Sequence, residues 1–227
     1  MKSSFKRNKS KPSHKESEGI TRIKAFTLLN SMLKKDPRAV IPNDEIDALD
    51  LESKAKIIEQ ISQFIVTNPE TNLHHIQTLQ HLCEDNSVII LKMACMSLTE
   101  VFKDITPLYD INETMIKHDL QTQLSKEDRK QYNFEYNLLQ HYKKFVSNCV
   151  FLLRMRDKNL LKGAPVDKLT KEQRKEFQKM ANEFNFIGLL CLCELLKKLH
   201  HFNLRKEIAT VIIRKKTSRL TPMRDLA

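Results

Sequence analysis

Glycine and tryptophan are the residues that this sequence lacks most. Of its 227 residues, 3 are Gly and none is Trp. Average proteins contain roughly 7% glycine, so this scarcity argues against a β fold rich in tight turns. The three glycines lie at positions 19, 163 and 188, where neither a dinucleotide-binding fingerprint nor a P-loop can be written. The composition therefore favours helices and excludes phosphate sites built from glycine.

Long hydrophobic segments are also lacking. The most apolar stretch, residues 186–196, has about half the length of a membrane helix and contains Glu194. Residues 1–15 are rich in Lys and Ser and lack the apolar part of a signal peptide. The five cysteines are an odd number and form no Cys-x-x-Cys pair. We therefore expect an intracellular protein with reduced thiols and no membrane contact.

Positive charge is concentrated at the two ends of the sequence. The net charge of +11 divides into +6 for residues 1–24, −2 for residues 25–196 and +7 for residues 197–227. Basic segments attract polyanions by contacting phosphates and releasing counterions, although they can also be solvated tails. The candidate RNA or phosphate contacts are Lys6, Arg7, Lys9, Lys11, Arg205, Lys206, Arg214, Lys215 and Lys216. The first four also resemble a nuclear import signal.

The hydrophobic pattern predicts an all-α protein, a HEAT- or armadillo-like helical stack preceded by a disordered basic tail. We expect the tail over residues 1–18, a short helix and an acidic loop over 19–51, and HEAT-like hairpins over 52–118. A long helical hairpin and a basic final helix follow over 126–217. No segment alternates apolar and polar residues as a strand does.

Several side chains are predicted to delimit or face these helices. Asn68 and Asn203 are expected as N-caps, and Ser125–Asp128 and Thr170–Gln173 as capping boxes. Phe64 belongs to the predicted apolar face of the helix that begins near Glu52. A helix starting near Ser125 is expected to reach about residue 161 and to end at Gly163 and Pro165. The stripe of the next helix is Phe177, Met180, Phe184, Ile187, Leu190 and Leu195.

No constellation of catalytic or metal-binding residues is apparent. His74 and His75 are adjacent, so they project about 100° apart on a helix and cannot bind one metal from the same face. Cys191 and Cys193 precede His200 and His201 without the spacing of a zinc site. Buried thiols and ordinary helix histidines explain these residues. We therefore predict a protein that is not an enzyme and needs neither a cofactor nor a metal.

Four stretches, in order, resemble one family. The first is 68–73 with Leu82 and Cys83, the third is Phe134, Glu135, Leu138, Leu139 and Tyr142, and the fourth is 201–205. The second is a motif made of Ala94, Ser97, Leu98, Val101, Phe102, Lys103, Asp104, Ile105, Pro107, Tyr109 and Ile111. Together they resemble the nucleolar complex protein 3 family over residues 50 to 213. Members usually have Gly and Arg where this sequence has Leu108 and Asp110.

This resemblance implies a ribosome assembly factor of the nucleolus and nucleoplasm. Such a protein would pair with a nucleolar complex protein 2-like partner and help pre-60S particles, with their rRNA, to mature and leave for export. The family motif residues Val101, Phe102, Lys103, Asp104, Pro107, Tyr109, Phe202 and Asn203 would be structural or would bind the partner. Since the family also has a second helical region, related to a CCAAT-binding factor domain, this sequence is expected to be a fragment or a reduced member.

Two alternatives to RNA-linked assembly stay open. The first is a HEAT-type adaptor that binds proteins alone, through a groove for an amphipathic helix. The second is a chromatin factor that binds replication-initiation proteins, which the resemblance also allows. Phe202 lies between His201 and Asn203 in the basic end and could stack on a base, but a hydrophobic staple at a helix start also explains it.

Overall fold

The computed structural model describes residues 41–119, 125–154 and 170–216. Within these ranges the chain is helical or irregular and contains no strand, so the predicted all-α class is confirmed. The helices in chain order are α1 (Asn43–Asp47), α2 (Leu51–Thr67), α3 (Pro69–Asn72), α4 (Ile76–Leu82), α5 (Val88–Ile105), α6 (Glu113–Asp119), α7 (Lys126–Arg154), α8 (Lys171–Lys198) and α9 (Arg205–Lys216). A 3-10 turn, Leu73–His75, joins α3 to α4. The predicted tail, the first short helix and the stop at Gly163 and Pro165 lie outside the described residues.

Helix α2 packs its isoleucines against α5. Ile57, Ile58, Ile61 and Ile65 are at most 4% exposed, as their i, i+3, i+4 spacing predicts. Phe64, placed on the same face from the sequence, is 39% exposed, so that prediction is wrong. At 100° per residue it lies at the edge of the stripe that the four isoleucines define.

The predicted loop before α2 contains the one-turn helix α1. Ile46 of this helix is fully buried in the common core, which explains why a short acidic segment becomes ordered there. A single apolar side chain in an acidic stretch gives no helical periodicity, and so the sequence pattern did not predict α1.

Helix α5 lies at the centre of the described structure. It packs against α2, α4 and α8, and the ring of Phe102 contacts two rings of α7. Ala94 is fully buried on α5, as expected for a residue that lets helices approach closely. At the turn that leads from α4 into α5, the Lys54 Nζ donates to Asp85 Oδ2 over 2.6 Å. Asp85 Oδ1 also accepts from the Ser87 N–H, so one carboxylate ties α2 to the start of α5.

Helices α7 and α8 form an antiparallel pair in close contact. A Cβ placed on Gly188 of α8 would lie 2.5 Å from the Cys149 carbonyl oxygen of α7, which no side chain could tolerate without a shift of the backbone. Beside this crossing, the Asn185 side-chain amide donates to the carbonyl oxygens of Ala181 and Leu152. Gly188 is thus required by the distance between the helices.

The predicted helix caps have three different outcomes. The Thr170–Gln173 box is complete, because each side chain bonds the other residue's backbone N–H. The Ser125 hydroxyl accepts from the Asp128 N–H, but the Asp128 carboxylate accepts from that hydroxyl and not from the backbone. Asn68 does not cap with its side chain. It also ends α2, where its N–H donates to the Phe64 carbonyl, and its own carbonyl accepts from Asn72.

The buried stripe of α8 differs in part from the predicted one. Ile187 and Leu195 are buried as predicted, whereas Met180 is 37% exposed. The first turns of α8 are exposed and its second half is enclosed between α5 and α7. The prediction that Met180 is buried is therefore wrong, because tertiary contacts begin only near Ala181.

Candidate functional site

Val101 and Phe102 of the family motif lie in the hydrophobic core. Val101 and Phe102 of α5 are at most 1% exposed. Phe102 stacks on Phe145 at 5.5 Å between ring centroids and meets Tyr142 edge-on at 5.3 Å. Tyr142 in turn meets Phe202 edge-on at 5.1 Å. Phe202 is fully buried, so its role is to join the turn before α9 to the core and not to stack on a base.

The second half of the motif contacts the turn that leads into α9. The Asn203 side chain accepts from the Ile111 N–H over 2.9 Å and donates to the Ile111 carbonyl over 3.0 Å. Because both polar atoms of Asn203 bind Ile111, this residue does not cap α9, and the sequence prediction was wrong. The His201 Nε2 lies 3.3 Å from the Pro107 carbonyl oxygen. Residues 107–111 are thereby bound to residues 201–203 across more than 90 positions of sequence.

A salt bridge extends this attachment, and a hydrogen bond ties the same segment to α7. Arg205 Nη1 donates to both carboxylate oxygens of Asp110, at 2.6 and 2.7 Å. The Asp110 carboxylate thus pairs with a cation that the sequence predicts to contact RNA. Tyr109 is half-exposed, and its hydroxyl donates to Glu135 Oε1 over 2.7 Å. The Glu135 carboxylate, together with burial, raises the pKa of the Tyr109 hydroxyl.

The remaining motif residues differ in exposure. Lys103 pairs with Glu100 at 2.9 Å and lies 3.7 Å from Glu194 of α8, and the bond to Glu100 raises the pKa of its ammonium. Asp104 is exposed at one end of a groove between α2 and α5. Motif residues thus mainly fix helices to each other, and Asp104 is left facing the surface.

The predicted phosphate contacts on α9 differ in exposure. Lys6, Arg7, Lys9 and Lys11 lie outside the described residues, as does the side chain of Lys216. Lys206 and Arg214 are exposed on α9, and Lys215 is partly buried. Lys206 lines a cleft of 540 Å³ between α9 and α7, with Arg205 and Lys143. Glu113 and Glu207 line it too, so this cleft is of mixed charge.

The groove between α2 and α5 has an apolar floor and an acidic rim. Its volume is 660 Å³. The floor includes Ala55, Val66, Met93 and Val101. Acidic residues dominate the charged rim, because Lys56 is paired with Glu52. The other charged residues that line it are Glu59, Asp104 and Glu100, the last of which is paired with Lys103.

A second cleft, which the sequence reasoning missed, lies between α3–α4 and the first half of α7. We refer to it as the α4–α7 cleft. Its volume is 740 Å³. It is lined by Glu70, Thr71, Leu73, His74, Gln77, Lys126, Arg129, Lys130, Asn133, Phe134, Asn137 and His141. The i, i+3, i+4 spacing of Lys126, Arg129 and Lys130 could have indicated a basic face on α7, but the neutral total of residues 25–196 concealed it.

The cysteines cluster without forming a metal site. All five are free and buried. Burial raises the pKa of the Cys149 thiol, and the neighbouring Cys191 thiol of α8 adds to this shift. Among the described residues no grouping of His, Cys, Asp or Glu has the arrangement of a metal site.

Helices long and apolar enough to cross a membrane are likewise absent from the described part of the chain.

Much of the described structure lies in a part of the chain that matches known proteins. Residues 52–145 match the family described as Nucleolar complex-associated protein. The Arabidopsis thaliana nucleolar complex-associated protein 3 is 26% identical over 217 residues, covering 94% of this chain. The chain resembles the nucleolar complex protein 3 family. The human nucleolar complex protein 3 homolog is 29% identical over 167 residues, covering 72% of this chain.

The nucleolar complex protein 3 relatives are much longer than this chain. The chain covers 23% of the Arabidopsis protein and 20% of the human one, so it spans about a fifth of the length of the relatives that it matches. The match at residues 52–145 contains the whole α4–α7 cleft and the whole α2–α5 groove. The resemblance that the sequence motifs predicted is thereby confirmed.

Proposed function

We propose that this chain is a helical scaffold in a nucleolar complex that assembles the large ribosomal subunit. The observation that carries the proposal is the match of residues 52–145 to the nucleolar complex family, together with the names of its relatives. In this role the chain binds a nucleolar complex protein 2-like partner and accompanies pre-60S particles through maturation and export. It acts by holding partners together and catalyses no reaction.

The scaffold role agrees with the way in which the motif residues are used. Phe102, Asn203 and Arg205 connect segments that are distant in sequence, so the described helices pack into one body whose surface carries open grooves. The HEAT-like character of the stack remains part of the proposal. The cations of α9 that face solvent, Lys206 and Arg214, are proposed to touch rRNA and to act on affinity more than on sequence choice.

A test is affinity purification of the tagged full chain with and without RNase, followed by mass spectrometry. We expect large-subunit assembly factors in both samples and rRNA in the untreated one. Lys206→Gln with Arg214→Gln should reduce rRNA recovery and leave the protein partner bound. Arg205 is excluded from this variant, since its loss would leave Asp110 without its partner. Recovery of no assembly factor in either sample would refute the proposal.

The adaptor hypothesis is favoured by one observation, the acidic rim and apolar floor of the α2–α5 groove. Such a groove suits a basic amphipathic helix of a partner protein. Reversing the rim with Glu59→Lys and Asp104→Lys should then abolish partner recovery. If the α9 variant leaves particle association unchanged while the rim variant removes it, protein binding alone accounts for the function.

A further inference from the structure

The α4–α7 cleft combines three kinds of groups on one concave surface. It is lined by cationic side chains of α7, by side-chain amides, and by an aromatic ring and two imidazoles. Its 740 Å³ lies within the range of about 300–1,000 Å³ that small-molecule sites occupy. None of these groups takes part in the attachment of residues 107–111 to the turn before α9.

The charge of the cleft is positive. Lys130 pairs with Glu70 across the opening at 2.5 Å, so these two charges compensate each other. Within the described residues Lys126 and Arg129 form no ion pair. Glu70 is the one carboxylate among the lining residues. Two exposed cations of the lining therefore remain to bind an anion, whereas Glu127 and Asp128 of the same first turn do not line the cleft.

The walls of the cleft are held in place by core contacts. Gln80 Nε2 of α4 donates to the His141 carbonyl of α7 over 2.9 Å, which fixes the distance between the two helices. Phe134 is half-buried against the core and lines the cleft. Asn133 and Asn137 stand one turn apart on the same helix and are exposed. Amides at this spacing can donate to and accept from the edge of a base.

We propose that the α4–α7 cleft binds unpaired nucleotides of single-stranded RNA. The phosphates lie on Lys126 and Arg129, and a base enters between α3–α4 and α7, against Phe134 and beside Asn137. Base stacking on an aromatic ring, combined with a cationic groove, is the usual way in which proteins hold single strands. The choice of RNA rests on the proposed function, whereas the cleft itself is a feature of the structure. RNA contact is thereby assigned to the body of the protein and not only to its basic ends.

The chain contains its own control for this proposal. Helix α7 begins with Lys-Glu-Asp-Arg-Lys at 126–130, and α8 begins with Lys-Glu-Gln-Arg-Lys at 171–175. Each sequence follows a hydroxyl N-cap and places its cations at the same helical positions. The α8 set is exposed and does not line the α4–α7 cleft. A non-specific effect of surface charge would make the two sets equivalent.

The test measures binding of the full chain to a fluorescent, unstructured 12-nucleotide RNA by anisotropy over a series of salt concentrations. We expect Lys126→Gln with Arg129→Gln to weaken binding at least tenfold and to lower the log–log salt slope by about 1.4, since each phosphate contact contributes about 0.7. Lys171→Gln with Arg174→Gln should change affinity less than threefold. Equal losses in the two variants, or no loss in the first, would overturn the proposal.

Photocrosslinking then locates the base. A 4-thiouridine in the same RNA should crosslink to the tryptic peptide 131–143, which contains Phe134, Asn137 and His141. Crosslinks confined to α9 would refute the cleft site and leave the proposed function intact. Failure of the proposed function would instead appear as loss of assembly factors in the purification with cleft binding unchanged. A DNA of the same sequence that bound equally well would contradict the assignment to RNA.

Discussion

The starts of α7 and α8 have nearly the same sequence and different surroundings. Both helices begin after a hydroxyl cap, at Ser125 and Thr170, and both continue with Lys-Glu-x-Arg-Lys. The start of α7 faces α3 and α4 across a cleft, and Lys130 reaches Glu70 there. The first ten residues of α8 are exposed except for Phe177, which is half-buried. Local sequence therefore sets where each helix begins, and the neighbouring helices decide what its cations can bind.

The largest expected effect removes the buried ion pair that ties α2 to the start of α5. Lys54→Met would leave Asp85 buried without its ammonium partner, since the two side chains are 11% and 8% exposed. We expect a loss of about 3–4 kcal/mol in the free energy of unfolding in urea. The control is Lys56→Met, two residues away, whose exposed pair with Glu52 contributes at most about 1 kcal/mol. Similar losses in the two variants would contradict this role of Asp85.

The same pair predicts a dependence on acid. Burial opposes ionisation of Asp85, but the Lys54 ammonium and the Ser87 N–H outweigh it and lower the pKa of this carboxyl. A lowered pKa in the folded state stabilises the fold above the ordinary value of about 3.9 and ceases to do so as the pH falls through the folded value. The difference between wild type and Lys54→Met should therefore narrow below about pH 4.

The next effect concerns how α8 is anchored. In an exposed helix, replacing Gly by Ala stabilises by about 1 kcal/mol. At Gly188 the sign should reverse, with a loss of about 2–3 kcal/mol, because the new methyl group would meet the Cys149 carbonyl oxygen. Urea unfolding measures the loss. The control is Gln178→Ala on the exposed first half of α8, which should change stability by less than about 0.5 kcal/mol. A stabilised Gly188→Ala protein would show that the helices are farther apart.

A smaller effect compares the two caps. Ser125→Ala should lower global stability by about 1 kcal/mol, because the start of α7 lines the α4–α7 cleft and Lys130 pairs with Glu70 there. Thr170→Ala should lower it by only a few tenths of a kcal/mol and should instead speed amide hydrogen exchange in the first turn of α8. Equal global losses would mean that both starts are anchored alike.

The smallest effect is a loss of stability at mildly acidic pH that arises in the α4–α7 cleft. Burial, with Lys144 as a second cause, lowers the pKa of the His141 imidazole in the α4–α7 cleft, while Gln80 of α4 faces its ring. As the pH falls below about 6.5, the unfolded state binds this proton more readily than the folded state, so stability falls. We expect a shallow loss from pH 7 to pH 5.5 that His141→Gln reduces. Bound RNA should counteract it, since phosphates favour the charged ring.

The parts of the fold that the sequence predicted are those with local causes. The complete cap at Thr170 and the isoleucine face of α2 follow from helical spacing and backbone chemistry. Asn203 was mispredicted because its partner, Ile111, lies 92 residues away. The α4–α7 cleft was missed for the same reason, since its walls come from segments between which α5 and α6 intervene in the chain. Pairing between distant segments has no periodic signal in a single sequence.

The burial of all five cysteines has a practical consequence for work on this protein. Thiol reagents act on accessible thiolates, so the native chain should be nearly inert to a maleimide dye. A cysteine introduced on the exposed surface, at Lys126 or at Lys171, would then take up the label alone, and no natural sulfur would need to be removed. The slow rate at which the natural thiols react with the dye would in turn measure how often the core opens.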